Sequence, residues 1–123
     1  MKYAIIIARV LLGLVFAIFG SNAFLHFIPT PPMQGQAGAF IGALISSGYI
    51  YAIAILQVVG GLLLLVGRFI PLGLTLLGPV IVNIMLYHIF LDPSGLPVAI
   101  VVSILALFLL WIYRYRFPAI FQP

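Results

Sequence analysis

The sequence predicts an all-α integral membrane protein, a four-helix bundle with up-down topology and a short interfacial helix between spans one and two. Two observations carry this reading. Hydrophobic residues make up 66% of the 123-residue chain and charged residues 5%, and the mean hydropathy is +1.40. A soluble domain of this size covers its core with charged side chains, and this chain has too few; its composition is that of a chain whose solvent is lipid. The apolar residues also fall into four runs separated by turns rich in Pro and Gly. Crossing about 30 Å of hydrocarbon takes about 20 residues at 1.5 Å each, so the length allows four spans and short connections. Residues 1–123 form a single transmembrane domain in this reading.

The first apolar run covers residues 3–27, and the span within it is 10–27, with Arg9 snorkelling its guanidinium to the near interface. Arg9 interrupts the run where a secretory signal is unbroken, which argues for a retained span. Ile28-Pro29-Thr30-Pro31-Pro32 ends the helix, because proline neither donates to the ladder nor continues it. Residues 37–49 are too short and too rich in Gly and Ser to span. Phe40, Ile41, Leu44 and Ile45 recur there at helical spacing, which predicts a short interfacial or re-entrant helix. The second span is 50–66, closed by Gly67-Arg68-Phe69-Ile70-Pro71. The third is 72–91, with Gly78-Pro79 a kink near its middle. Asp92-Pro93-Ser94-Gly95-Leu96-Pro97 is a turn. The fourth span is 98–113, where Trp111, Tyr113 and Tyr115 stand among arginines as an interfacial belt.

The formal charge of +4 comes from Lys2, Arg9, Arg68, Arg114 and Arg116 against one acid, Asp92. These basic residues sit at span ends without the clustering a nucleic-acid footprint needs, so nucleic acid is excluded as a partner and membrane lipid is expected. With four spans, the N-terminus, the turn after span two and the C-terminus share one side, and all five basic residues fall there. The opposite connections carry no Lys or Arg. The positive-inside rule then places both termini in the cytoplasm. The chain has no cysteine, which excludes disulfides, thiol exchange, iron–sulfur clusters and thiolate metal sites.

Polar side chains inside the membrane are costly and each needs a reason. Asn22, Gln57, Asn83 and Ser103, one per span, fall within about 6–12 Å of the outer boundary at 1.5 Å per residue. Two uses are open. The four bond to one another and set the helix register, or they line a pocket open to the outer leaflet that takes a quinone head group or another small amphipathic ligand. His26 and His88 lie near the outer ends of spans one and three. They are candidate ligands for a haem or chlorophyll-type macrocycle held between helices; the alternative is hydrogen bonding to headgroups or a neighbouring helix. His88 and Asp92 share one helical face and form an orienting pair. One carboxylate and two histidines do not compose an acid–base site, so no catalytic residue is assigned and no metal site is expected.

Gly13, Ala17 and Gly20 form a small-residue stripe on span one, roughly opposite Asn22, and Gly60-Gly61 interrupts span two. Small residues let helix backbones approach closely. The stripe packs either within the bundle or on another copy or a partner subunit.

Ala8-Arg9-Val10-Leu11-Leu12-Gly13, Gly20-Ser21-Asn22 with Leu25-His26-Phe27, and Gly60-Gly61 followed by Gly67-Arg68-Phe69-Ile70-Pro71 resemble the DoxX family. So do Pro79-Val80-Ile81-Val82-Asn83, the stretch His88-Ile89-Phe90-Leu91-Asp92-Pro93-Ser94-Gly95-Leu96-Pro97, and Trp111-Ile112-Tyr113-Arg114-Tyr115-Arg116-Phe117. The resemblance runs in order along almost the whole chain. It implies a four-helix protein of the bacterial inner membrane, in a family named for a membrane subunit associated with terminal quinol oxidase and thiosulfate:quinone oxidoreductase activity. The family often carries an acid where this chain has Gln57, and relatives often show Glu and Asp where Ala106 and Tyr115 stand. Without those carboxylates the obvious proton carriers are gone, which weighs against proton-coupled chemistry.

The leading expectation is a non-catalytic accessory or scaffolding subunit of a larger electron-transfer complex, respiratory or photosynthetic. It would have no cofactor of its own and would meet quinone, lipid, pigment or haem only at its periphery. The rivals are a stand-alone binder or carrier of a small hydrophobic ligand such as quinone, using Asn22, Gln57, Asn83 and His88 of a polar layer that also takes in Ser103 and His26, and the membrane subunit of a quinone-linked oxidoreductase whose partner supplies the redox centre.

Overall fold

A computed structural model describes residues 1–26 and 34–118. Among them the chain is helical, with no strand. Four helices are long and apolar enough to cross a membrane: α1 (Lys2–Leu25), α3 (Tyr49–Val66), α4 (Ile70–Phe90) and α5 (Leu96–Ile112) with the 3-10 turn Pro93–Gly95 before it. The helix α2 (Gly35–Ser47) has 13 residues and at about 1.5 Å each is too short to cross. A second 3-10 turn, Arg114–Arg116, follows α5.

α1 begins two turns before the expected span, so Arg9 stands inside the helix. Its guanidinium lies against Gly67, where a Cβ would overlap it, at the C-terminal end of α3. The partial negative charge that collects at a helix C-terminus favours a cation there. α1 ends at Leu25 because His26 takes a left-handed conformation (φ 53°) and gives its N–H to the Asn22 carbonyl. The proline-rich stop expected at 28–32 lies outside the described residues. Gly48 (φ 80°) separates α2 from α3 and Gly67 (φ 79°) closes α3, both in the left-handed region that glycine enters without steric penalty. α4 continues through Pro79, which supplies no N–H to the ladder.

Around the bundle α1 packs on α3, α3 on α4, α4 on α5, and α5 returns to α1; α2 leans on α3. Leu12, Leu64, Leu77 and Leu109, one from each spanning helix, are fully buried and anchor the shared core. Consecutive residues on a helix point about 100° apart, and Gly60-Gly61 uses both directions. A Cβ on Gly61 would stand 2.7 Å from the Ala17 nitrogen and 2.8 Å from the Gly13 oxygen, whereas one on Gly60 would stand 2.7 Å from Leu77 Cγ and 3.2 Å from the Gly73 oxygen. α3 therefore touches α1 on one side and α4 on the other, backbone nearly against backbone. Without a hydrophobic force between helices in lipid, such close van der Waals packing is what holds them together.

The Gly13–Ala17–Gly20 stripe is consumed in this contact. Gly13 faces Gly61 and Leu65, and Gly20 faces Ala54, Gln57 and Val58. Of the two uses left open for the stripe, packing within the bundle is the one observed, because glycines stand on both helices at the same level.

Candidate functional site

Among the described residues, two grooves on the bundle stand out. The larger, about 410 Å³, runs between α4 and α5. Small residues line it on both helices, Gly78 of α4 and Ser103 and Ala106 of α5, and leave room between them. A Cβ on Gly78 would meet nothing within 4 Å, so the place a side chain would fill is open. Leu74, Met85, Leu107 and Leu110 supply much of the apolar wall. The Ser103 hydroxyl oxygen is shielded and, among the described residues, has no hydrogen-bond partner. The smaller groove, about 280 Å³, lies between α1 and α3 and is lined by Ser21, Phe24, Leu25, Ile55, Val58 and Val59.

The four polar residues of the long helices have different surroundings. Gln57 is half-buried, with its Cβ close to Gly20 on the α1–α3 face, and Asn22 is half-buried on α1. Asn83 is exposed, and its Nδ2 donates to the Pro79 carbonyl of its own helix at 2.8 Å. Thr75 does the same one turn before Pro79, donating to the Pro71 carbonyl at 2.7 Å. In lipid, where no water competes, such back-bonding to the carbonyl four residues earlier satisfies a polar side chain locally. The larger groove takes in Ser103 alone of the four, and the smaller one takes in none.

His26 is exposed at the end of α1. His88 is half-buried, and its Nδ1 lies 2.9 Å from the main-chain carbonyl oxygen of Asp92. A carbonyl only accepts, so Nδ1 is the donor in this contact. The expected His88–Asp92 pair is thus made through the backbone. The Asp92 carboxylate instead accepts from Ser94 Oγ at 2.5 Å, within the turn that follows. The His88 ring lies over Gly95 and edge-on to Tyr87, 5.0 Å between centroids, and Tyr87 in turn meets Phe40 of α2 at 5.8 Å. Among the described residues no three of His, Cys, Asp and Glu come together in a way that could hold a metal ion.

At the opposite end Arg114 is sandwiched, 3.7 Å from the Trp111 ring centroid and 4.2 Å from that of Tyr115. Its Nη1 donates to the Trp111 carbonyl at 2.6 Å and its Nη2 to the Tyr115 hydroxyl at 2.7 Å. Arg116 lies over Tyr113 at 5.3 Å. Both cations lie against the π faces of these rings, and Arg114 is held by hydrogen bonds as well.

Sequence reasoning took Gly78 for half of a kink and overlooked it as a groove former. The signal that marks the groove is the set of small residues along it, Gly78 on α4 and Ser103 and Ala106 on α5. Comparison with family models, with curated proteins and with solved structures found no match to this chain.

Proposed function

We propose that the chain is a DoxX-like protein of the bacterial inner membrane that serves as a non-catalytic accessory or scaffolding subunit of a larger electron-transfer complex. In this reading the spans run up-down with α2 at the outer interface and both termini in the cytoplasm. The contacts that pair Gly13 with Leu65 and Gly20 with Ala54 between α1 and α3, and Leu64 with Gly73 and Gly60 with Leu77 between α3 and α4, fit helices that alternate in direction. The single observation that carries the functional reading is the lining of the two grooves, which includes no ionisable side chain. The histidines and the aspartate sit at helix ends and in a turn, and His88 and Asp92 are engaged locally. What the chain offers a complex is helical surface: Phe19 on α1, and Ile104 and Trp111 on α5, all exposed. The assignment to electron transfer comes from the family resemblance.

Native mass spectrometry of the assembly, extracted gently from its own membrane, tests this. Co-purification with cytochrome or reaction-centre subunits is the expected result. Recovery as an isolated monomer, with no partner in mild detergent, would count against it.

A second reading, a binder or carrier of a small hydrophobic ligand such as quinone, is favoured by one feature, the α4–α5 groove with its single hydroxyl. Organic extraction of the same preparation, looking for a stoichiometric small molecule, separates it from the first.

A further inference from the structure

We propose that Arg9 and Arg68 form a binding site for the phosphate of an anionic phospholipid, at the end of the bundle where α1 begins and α3 turns into α4. The site goes beyond the functional reading above and does not depend on whether the chain joins a complex. Its first half is Arg9. This residue is half-buried inside α1, and its guanidinium lies over Gly67, where a Cβ would overlap Nη1 and stand 3.0 Å from Cζ. Its second half is Arg68, exposed and next in the chain, with its Cα about 3.8 Å from that of Gly67. Two cations thus stand at one turn. Lys2, seven residues before Arg9, falls on the same face of α1 about 10 Å further out.

The protein does not neutralise this pair. Among the described residues neither guanidinium has a hydrogen bond or an ion pair. The sole acid, Asp92, is separated from Arg68 by the whole of α4, 21 residues or about 30 Å. The partial charge at the end of α3 is about half a unit, against two cations. The donors of Arg9 are also within reach of a ligand. Among the described residues that are not exposed, Ser103 Oγ is the one side-chain polar atom both closed off and unbonded, so the unbonded Arg9 nitrogens are accessible. A guanidinium presents a planar fork of donors that matches phosphate oxygens two at a time. Leu62 and Val66, four residues apart on α3, and Phe69 after Arg68 are apolar and exposed. The cations therefore stand at the edge of the lipid-facing surface, at the level of headgroups. A zwitterionic lipid carries an amine that competes for its own phosphate, so the charge of the site selects the anionic class.

The full chain is stripped of lipid in a mild non-ionic detergent and titrated with phosphatidylglycerol or with phosphatidylcholine of the same acyl chains. Native mass spectrometry reads the lipid-bound fraction. Phosphatidylglycerol should bind about tenfold more tightly than phosphatidylcholine. Arg9→Gln and Arg68→Gln should each weaken it about tenfold, as loss of a hydrogen bond between charged groups requires. Arg116→Gln removes the same charge from an exposed position in the 3-10 turn after α5. It should weaken binding less than about threefold, because a cation outside the site acts only through a screened field. Arg68 is exposed in a turn, so its variant keeps the fold even if Arg9→Gln does not. No loss from Arg68→Gln, or a loss equal to that of Arg116→Gln, would overturn the site and leave only a diffuse positive field. Equal affinity for the two lipids would overturn the anionic assignment. Displacement of the lipid by millimolar inorganic phosphate would show that this end reads a free anion and would overturn the lipid as its occupant.

Discussion

A polar atom in lipid finds a partner nearby or at a cost, and the residues of this chain show both outcomes. Asn83 and Thr75 return to carbonyls of their own helix, and His88 reaches the Asp92 carbonyl, two residues beyond α4. The His88 contact is sharp enough to test. A Cβ on Gly95 would overlap the imidazole, so Gly95→Ala must displace the ring, break its bond to the Asp92 carbonyl, or bend the turn. The expected loss is about 1–3 kcal/mol, the usual range for overpacking, read from thermal unfolding in detergent. Adding His88→Ala to Gly95→Ala should recover part of it, since the clash is then gone. Strictly additive effects would show that the two residues do not meet. At this scale the sequence discloses depth more readily than direction. That Asn22, Gln57, Asn83 and Ser103 lie at similar depths can be counted at 1.5 Å per residue. That Asn83 turns outward while Ser103 turns into a groove depends on how each helix is rotated about its axis, which an almost uniformly apolar helix does not encode.

The helices themselves were legible because their breakers are explicit. Gly48, Gly67 and the Asp92–Pro97 turn separate apolar runs long enough to recognise, and the observed helices begin and end close to the bounds expected for the spans, except where α1 extends back past Arg9. Arg9 hid two turns of helix because a charge reads as an edge, whereas here it is accommodated at the end of α3. Which faces meet was less legible. The small-residue stripe on α1 had two possible uses until Gly61 and Ala54 were seen opposite it. The glycine pair on α3 gives the element-scale prediction. Gly61→Val should separate α1 from α3 and Gly60→Val should separate α3 from α4, each destabilising the bundle by about 1–3 kcal/mol or more. Gly42→Ala is the control: it lies in α2, where a Cβ meets nothing within 4 Å, and it should stabilise by about 0.5–1 kcal/mol through helix propensity. Equal effects from all three in a thermal melt would sink the close-packing account, since it requires that position, not residue type, decide the sign.

At the scale of the whole molecule, most of the apolar surface faces outward: only 17% of the residues in the apolar window of the last span are buried, and 33% in that of α4. In a soluble protein that would be an unfinished core, but in lipid it is the solvated face. What orients such a body is its charge, and the basic residues are Lys2, Arg9, Arg68, Arg114 and Arg116, with the sole acid, Asp92, in the turn between α4 and α5. Because Arg9 lies against Gly67, the start of α1 and the α3–α4 turn lie at one end of the bundle. Translocating even a few of these cations against the positive-inside bias is unfavourable, so a single orientation is expected, with that end in the cytoplasm. The lack of native cysteine makes the test clean. Ser94→Cys, in the turn after α4, should react with a membrane-impermeant maleimide in intact spheroplasts. Phe69→Cys and Tyr115→Cys, both at exposed positions that leave every Arg and Lys in place, should react only after the membrane is permeabilised. The reverse pattern would mean that the charge bias does not govern insertion. Labelling of all three before permeabilisation would mean that the chain inserts both ways round, as a chain with so little extramembrane mass could, and the cytoplasmic placement of the termini would then fail for half the molecules.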